Sequence, residues 1–186
     1  MGYGVFATKT IPKGTITWVG DPLDQILSPE RYVALPAPLR ALALKYSYLN
    51  GRGERVLCWD HARFINHSCA ANCLSPGFDF EVATCDINAG DEITDDYGTL
   101  NLEEPFPCFC SSSHCRGSVL ADDPIRYADE WDALTASAFP LITKVEQPLW
   151  ELVGDKMAVG KVLRGEIALP SVLAHYRGQS LSRSRR

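Results

Sequence analysis

Three clusters of polar and sulfur side chains carry the chemical potential of this chain. The first is Arg63-Phe64-Ile65-Asn66-His67-Ser68-Cys69-Ala70-Ala71-Asn72-Cys73, where an amide, an imidazole and two thiols follow an apolar pair. Buried polar groups each need a hydrogen-bond partner, so such density implies a use. The second is Gly90-Asp91-Glu92-Ile93-Thr94-Asp95-Asp96-Tyr97-Gly98, and the third is Cys108-Phe109-Cys110 with Cys115. Three thiols at Cys108-x-Cys110-x4-Cys115 suit zinc, which takes four ligands in a closed structural site. The fourth would come from Cys69 or Cys73, with His114 as a local alternative. Such a site would pin the segment after Tyr97 onto residues 66–73. Asn66, His67 and Cys69 also admit a thiol nucleophile with an imidazole base, but that needs reach to the sulfur and a third, orienting group. In isolation His67 reads as a core histidine and Tyr97 as a core tyrosine.

The elements that must position these clusters are mostly short strands. Residues 2–16 read as strand, turn, strand, with Val5, Phe6 and Ala7 apolar and Pro12-Lys13-Gly14 as the turn. Gly2 and Gly4 let a ligand approach the backbone. In residues 20–50, Ser28 is an N-cap with Pro29 in the first turn of a short helix. The apolar run 35–44, broken by Pro36 and Pro38, ends in a helical turn. Asn50-Gly51-Arg52-Gly53 is a turn before a strand at 55–59, and residues 78–85 alternate as a half-buried strand does. Asn88-Ala89-Gly90-Asp91 is another turn, leading to a strand at 92–94. Cys58 and Cys85 fall inside predicted strands as core thiols. After a boundary at 120–124, residues 129–139 have helical spacing with Trp131, Leu134 and Ala138 on one face, ended by Pro140. Further helices are expected near 150–153, 157–163 and 171–176.

Composition bounds the class. The 186 residues, 46% hydrophobic and 22% charged, suit one soluble globular domain with an appendage. No apolar run reaches the ~18 residues of a membrane span, and the start lacks a secretory pattern. Seven cysteines, an odd number, fit reduced thiols in an intracellular compartment, cytoplasm or nucleus. Residues 1–120 carry 9 basic and 14 acidic side chains, which argues against phosphate-backbone binding there and for a basic peptide partner. From Lys156 onward seven basic residues face one acidic residue, Glu166. That tail is the one stretch suited to touch nucleic acid, and it reads first as a solvated, Ser-Arg-rich end.

Taken together, Gly2-Tyr3-Gly4-Val5-Phe6-Ala7, residues 63–69, Glu92-Ile93-Thr94-Asp95-Asp96-Tyr97-Gly98 and the cysteine cluster resemble the SET-domain protein lysine methyltransferases with a post-SET zinc segment. The resemblance covers roughly residues 1–118. It implies a SET-like β-clip fold, mainly β with an α-helical C-terminal appendage (α+β). In it the Asn66 and Tyr97 segments thread together in a knot-like core. Residues 1–100 would form the SET domain with a variable insert at 20–50, residues 101–120 the zinc segment, and 121–186 the appendage. S-adenosylmethionine would lie on one face and the lysine would enter from the other through a narrow channel. By the family's motif, Gly2, Tyr3 and Gly4 contact the cofactor through backbone, and Asn66 and His67 bind it by backbone and amide groups. Phe109 covers the adenine. Cys69 joins Cys108, Cys110 and Cys115 on zinc. Tyr97 is the catalytic tyrosine beside the cofactor, and Tyr46 or Tyr48 lines the channel.

The chemistry this implies is methyl transfer from a sulfonium to a neutral amine. A free lysine is charged, with a pKa near 10.4, and a narrow apolar channel disfavours the ammonium and aids proton loss to water. Alignment then supplies most of the catalysis, about 7–11 kcal/mol at best. Tyr97 would orient the amine by its hydroxyl. No strand precedes Gly2, where the family usually has one, and Asp95 stands where many relatives carry Phe or Tyr, which leaves the number of methyls open. The rival reading is a non-catalytic, zinc-stapled SET-like module that binds basic peptides. Asn66, His67 and Tyr97 argue against it, since a pure binder has no use for them.

Overall fold

Short strands joined by turns build the first hundred residues, as the alternation and turn residues require. The computed structural model describes residues 2–178, so the Ser-Arg-rich end lies outside the described residues. Strands β1 (Val5–Phe6) and β2 (Ile16–Val19) flank the first turn. An insert follows: β3 (Gln25–Leu27), α1 (Pro29–Val33), α2 (Ala37–Tyr46), β4 (Tyr48–Leu49) and β5 (Arg55–Leu57). Then come β6 (Asn66–His67), β7 (Cys73–Leu74), β8 (Phe80–Ala83) and β9 (Glu92–Asp95). A six-stranded sheet runs β1-β9-β7-β8-β2 with β6 also on β9, and β3-β5-β4 form a separate sheet.

The knot-like core comes from one segment pairing twice with one strand. β6 pairs parallel with β9 (Asn66↔Thr94, His67↔Asp95), and β7 returns to the same strand at Cys73↔Asp95. Between them the Asn72 side chain accepts from Thr94 N at 2.8 Å and donates to Glu92 O at 2.9 Å, which locks the crossing.

The C-terminal helices share their core with the sheet. Helix α3 (Asp123–Ala138) and α4 (Lys156–Leu163) are linked by 3₁₀ turns at Phe139–Thr143 and Trp150–Leu152, and another 3₁₀ turn follows at Val172–His175. Ile16, Phe80 and Val82 of the sheet pack with Phe139, Ile142 and Val159. Each such side chain contributes about 1.5–3 kcal/mol when fully buried, so this packing is not a loose contact.

Several local expectations change. Ser28 caps α1 by accepting from Arg31 N. Pro36 and Pro38, however, open a ten-residue helix instead of breaking the run, because a first-turn proline lacks only a donor that the helix would leave unpaired. Helix α3 begins at Asp123, again with a proline in its first turn. Its buried stripe is Pro124, Ala128, Trp131, Thr135 and Ala138, while Leu134 faces outward at 38% exposure. Thr135 tolerates burial because its hydroxyl donates to the Trp131 carbonyl. Cys58 is buried, but Cys85 is exposed, two residues beyond the end of β8. No described helix is long and apolar enough to cross a membrane.

Candidate active site

The N-terminal segment meets Asn66 at Tyr3, through a hydrogen bond that crosses the fold. Asn66 Nδ2 donates to Tyr3 O at 2.9 Å and to Glu92 Oε1 at 2.7 Å. A side chain at Gly4 would put its Cβ 2.5 Å from Glu92 Oε1 and 3.3 Å from Asn66 Nδ2, whereas Gly2 has open space. Gly4→Ala is therefore expected to cost about 1 kcal/mol, one disrupted hydrogen bond, and Gly2→Ala almost nothing. Urea midpoints of the two variants check this, and equal midpoints would refute the crowding at Gly4.

Tyr97 sits in a 3₁₀ turn (Tyr97–Thr99) straight after β9, capped by Asp96, whose Oδ1 accepts from Gly98 N at 3.0 Å. The Tyr97 hydroxyl donates to Ile65 O at 2.6 Å. Burial, reinforced by Asp95, Glu81 and Glu92, pushes the phenol up to about 12, so it keeps its proton. Its backbone N–H donates to His67 Nδ1 at 3.1 Å, which makes Nδ1 the acceptor and leaves the ring proton on Nε2. Nε2 lies 3.3 Å from Cys69 Sγ, where that proton has an acceptor. Burial lowers the His67 pKa against the pull of Asp96, so the ring is neutral at pH 7 and its 3.7 Å approach to Asp96 is no ion pair.

A cavity of about 580 Å³ opens beside Tyr97. Trp18, Tyr46, Tyr48, Ile65 and Phe106 give it apolar walls, so both tyrosines proposed for a channel line one space. Glu81 and Asp95 also line it. A bulge in the pairing of β2 with β8 sets Trp18 opposite Glu81. Sequence reading gives Glu81 no role, because the alternation of 78–85 predicts a half-buried strand without saying what its polar face meets.

Four cysteines converge at the end of β6. Cys69 Sγ and Cys115 Sγ each lie 3.7 Å from Cys108 Sγ, and Cys69 N–H points at Cys110 Sγ at 3.4 Å. Four thiolates at about 2.3 Å from one zinc ion stand about 3.8 Å apart, so the sulfur spacing fits such an ion. Arg116 N–H and Gly117 N–H donate to Cys69 Sγ and Cys115 Sγ, as thiolates need. Desolvation opposes ionisation of Cys110, but N–H groups of Cys69 and Ser112 and the neighbouring thiols outweigh it and bring its pKa down to about 6. His67 lies with Cys69, Cys108 and Cys110 in a group whose ligand atoms are within 4.8 Å of one another, yet the Nε2 proton makes it a donor to sulfur. Cys73, fully buried among Ala7, Ala83 and Ile87, is outside the cluster, and His114 is exposed. Strands β10 (Phe106–Pro107) and β11 (Ser118–Val119) close the segment as a two-stranded ribbon. Phe109 stands out at 85% exposure.

Arg116 joins this segment to the rest. Its guanidinium bonds Asp96 at 2.5 Å, approaches Asp123 at 3.7 Å, and lies over the Tyr127 ring. Asp96 and Asp123 are each 1% exposed. Sequence reading assigned Arg116 no role, because its partners lie on either side of it in the chain and nothing in the spacing links them.

A family model described as the SET domain matches residues 2–98. The histone-lysine N-methyltransferase SETD1B of Homo sapiens is 38% identical over 73 residues, covering 36% of this chain and 4% of that protein. The histone-lysine N-methyltransferase, H3 lysine-4 specific, of Schizosaccharomyces pombe is 41% identical over 131 residues, covering 61% and 14%. This chain thus spans a small part of these relatives' length. The solved methyltransferase domain of human SETMAR is 19% identical, with a TM-score of 0.42 over 63% of this chain and 53% of that one.

Proposed function

The chain belongs to the SET-domain family, and from that premise we propose that it transfers a methyl group from S-adenosylmethionine to the ε-amine of a lysine in a protein. The observation that carries the reading is a junction. Pairing of β6 with β9 sets the Asn66–Tyr3 contact close to Tyr97, whose ring lines the cavity.

Bound S-adenosylmethionine supplies an electrophilic methyl on a sulfonium sulfur. Gly2, Tyr3, Gly4, Asn66 and His67 would hold it through backbone and amide groups beside Tyr97, and the exposed Phe109 would cover its adenine. The aromatic walls of the cavity would take the lysine stem and keep water out. Because the Tyr97 proton is committed to Ile65 O, the phenol oxygen presents its lone pairs to an amine N–H and fixes the nitrogen's direction. Cys69, Cys108, Cys110 and Cys115 would hold one zinc ion that takes no part in the chemistry and ties the 106–119 ribbon to β6.

The acidic balance of residues 1–120 favours a basic, lysine-containing segment as substrate. The relatives are named for histone lysines, so a histone H3 tail is the first substrate to try, and a nuclear or cytoplasmic place would follow. The test combines calorimetric titration with S-adenosylmethionine and transfer of labelled methyl to that tail. Wild type and Tyr97→Phe should bind the cofactor alike, while the variant transfers methyl on the order of 100-fold more slowly through lost alignment. Cofactor and peptide binding without any transfer by wild type would favour the non-catalytic module instead.

A further inference from the structure

We propose that Glu81 and Asp95 form a proton-sharing carboxyl pair in the cavity that binds the substrate ammonium and accepts its proton ahead of methyl transfer. This rests on the lysine methyltransferase reading and adds to it a proton acceptor within the protein.

The two carboxyls come from strands β8 and β9, which flank β7, both line the wall that also holds Tyr97, and each perturbs the other's ionisation. Glu81 Oε2 is shut off from solvent and has no N–H or O–H donor among the described residues. A proton carried by the Asp95 carboxyl would answer it, which is the proton the proposed pair shares. Asp95 is the better holder: its Oδ1 already accepts from Asp96 N at 2.6 Å, and no described cation forms a salt bridge with either acid. The pair is then a single negative charge beside the aromatic walls of the cavity. An ammonium brings three donors and no acceptor, and here it meets Glu81, Asp95 and the phenol oxygen of Tyr97.

The proton balance closes without another reactant. One N–H bond of the ammonium breaks, its electron pair stays on nitrogen, and the proton passes to the Glu81 carboxylate. The freed lone pair takes the methyl as the sulfur–carbon bond breaks, its electrons going to sulfur. The product leaves as a methylammonium, and the diacid returns one proton to water.

Burial pushes the Glu81 carboxyl up to about 7 against the lowering hydrogen bond from Asp95, while burial and the Glu81 and Asp96 charges raise Asp95 further. The other groups facing the pair are Tyr48, Cys58, Cys73 and Tyr97, all raised by burial and neutral near pH 7, and Asp96, ion-paired to Arg116. Of the cations in the wall, Arg55 is paired with Glu103, and Lys45 and Arg63 lie over the rings of Tyr46 and Phe64. His175 meets the Phe78 carbonyl and Asp79. Glu81 therefore accepts a proton above about pH 7 and is already protonated below it.

Carbon-13 carboxyl titration of the full, zinc-replete chain tests this directly, with n-butylammonium as a lysine side-chain probe and 1-butanol as its neutral control. One carboxyl should titrate near neutrality, vanish in Glu81→Gln, and shift to lower pH with n-butylammonium alone. In Asp95→Asn the titration should persist and stay near neutrality or move up, since the amide is a weaker donor than the acid whose hydrogen bond lowers Glu81; that variant keeps the test open if Glu81→Gln does not fold. With the H3 tail, the rate should fall below about pH 7. In Glu81→Gln that limb should vanish and the rate at pH 8 drop on the order of 100-fold. An ordinary acidic titration of Glu81, or indifference to n-butylammonium, overturns the pair. Methyl transfer with an unchanged limb in Glu81→Gln overturns the relay and leaves the transferase reading intact. Titration and n-butylammonium binding without any methyl transfer would support the amine site and sink that reading instead.

Discussion

Arg116→Met should lower folding stability by about 3–5 kcal/mol, the usual cost of removing one partner from a buried ion pair. Two opposing terms decide the size. The methionine keeps much of the stem's packing over Tyr127 and Trp131, which limits the loss of apolar contact. Against that, Asp96 and Asp123, each 1% exposed, lose the one cation they share among the described residues. The unpaired charges win, because desolvating one carboxylate costs several kcal/mol and a few methylene contacts cost less. Asp96 also caps the Tyr97 turn, and the Leu120 N–H bonds Asp123 at the start of α3, so both elements should loosen together. A double-mutant cycle with Asp123→Asn, read from urea midpoints, isolates the pair. A loss below about 1 kcal/mol would mean the guanidinium is effectively solvated, like an ordinary surface ion pair.

Removing zinc should have an effect of similar or greater size, concentrated between β10 and β11. Free zinc-finger peptides owe about 10–16 kcal/mol of apparent folding energy to their metal. Here the ribbon is also held by Arg116, so chelation should release residues 106–119 and their contact to Cys69 while the sheet and helices stay folded. The protein as purified should carry one zinc by elemental analysis, and Cys108→Ser should lose it. Cobalt in its place should give the charge-transfer bands of thiolate ligation. Amide exchange should then rise in the ribbon and around Tyr97, because Tyr97 N–H, His67 and Cys69 form one chain of hydrogen bonds. Metal-free protein with unchanged exchange there would end the zinc proposal.

Much of this architecture could be read in advance where neighbouring residues decide it. Ser28 as a cap, Asn50-Gly51-Arg52-Gly53 as a hairpin turn and Pro140 closing α3 are local effects of side chain on backbone. The sulfur cluster was legible as three thiols in eight residues. The errors have a shared cause as well. Pro36 and Pro38 look like breakers in the sequence because spacing does not say whether a proline opens a helix or interrupts it. Apolarity alone puts Leu134 on the buried face ahead of Thr135, whose hydroxyl is satisfied only within the folded helix.

Sequence alone therefore determined which groups could do chemistry: Asn66, His67, Tyr97, the four thiols, and the strand and turn segments that carry them. Those depend on residue type at short range. Tertiary structure decided how they are used. It turned the Glu81 face of β8 toward a cavity instead of water, set Asp95 against it across β7, gave the Nε2 proton of His67 a sulfur to face, and let Arg116 bind two acids that lie twenty residues before it and seven after. Each of these rests on burial and on contacts between strands distant in the chain. A carboxyl in water and a carboxyl in a closed pocket read the same in the sequence, and only desolvation separates them.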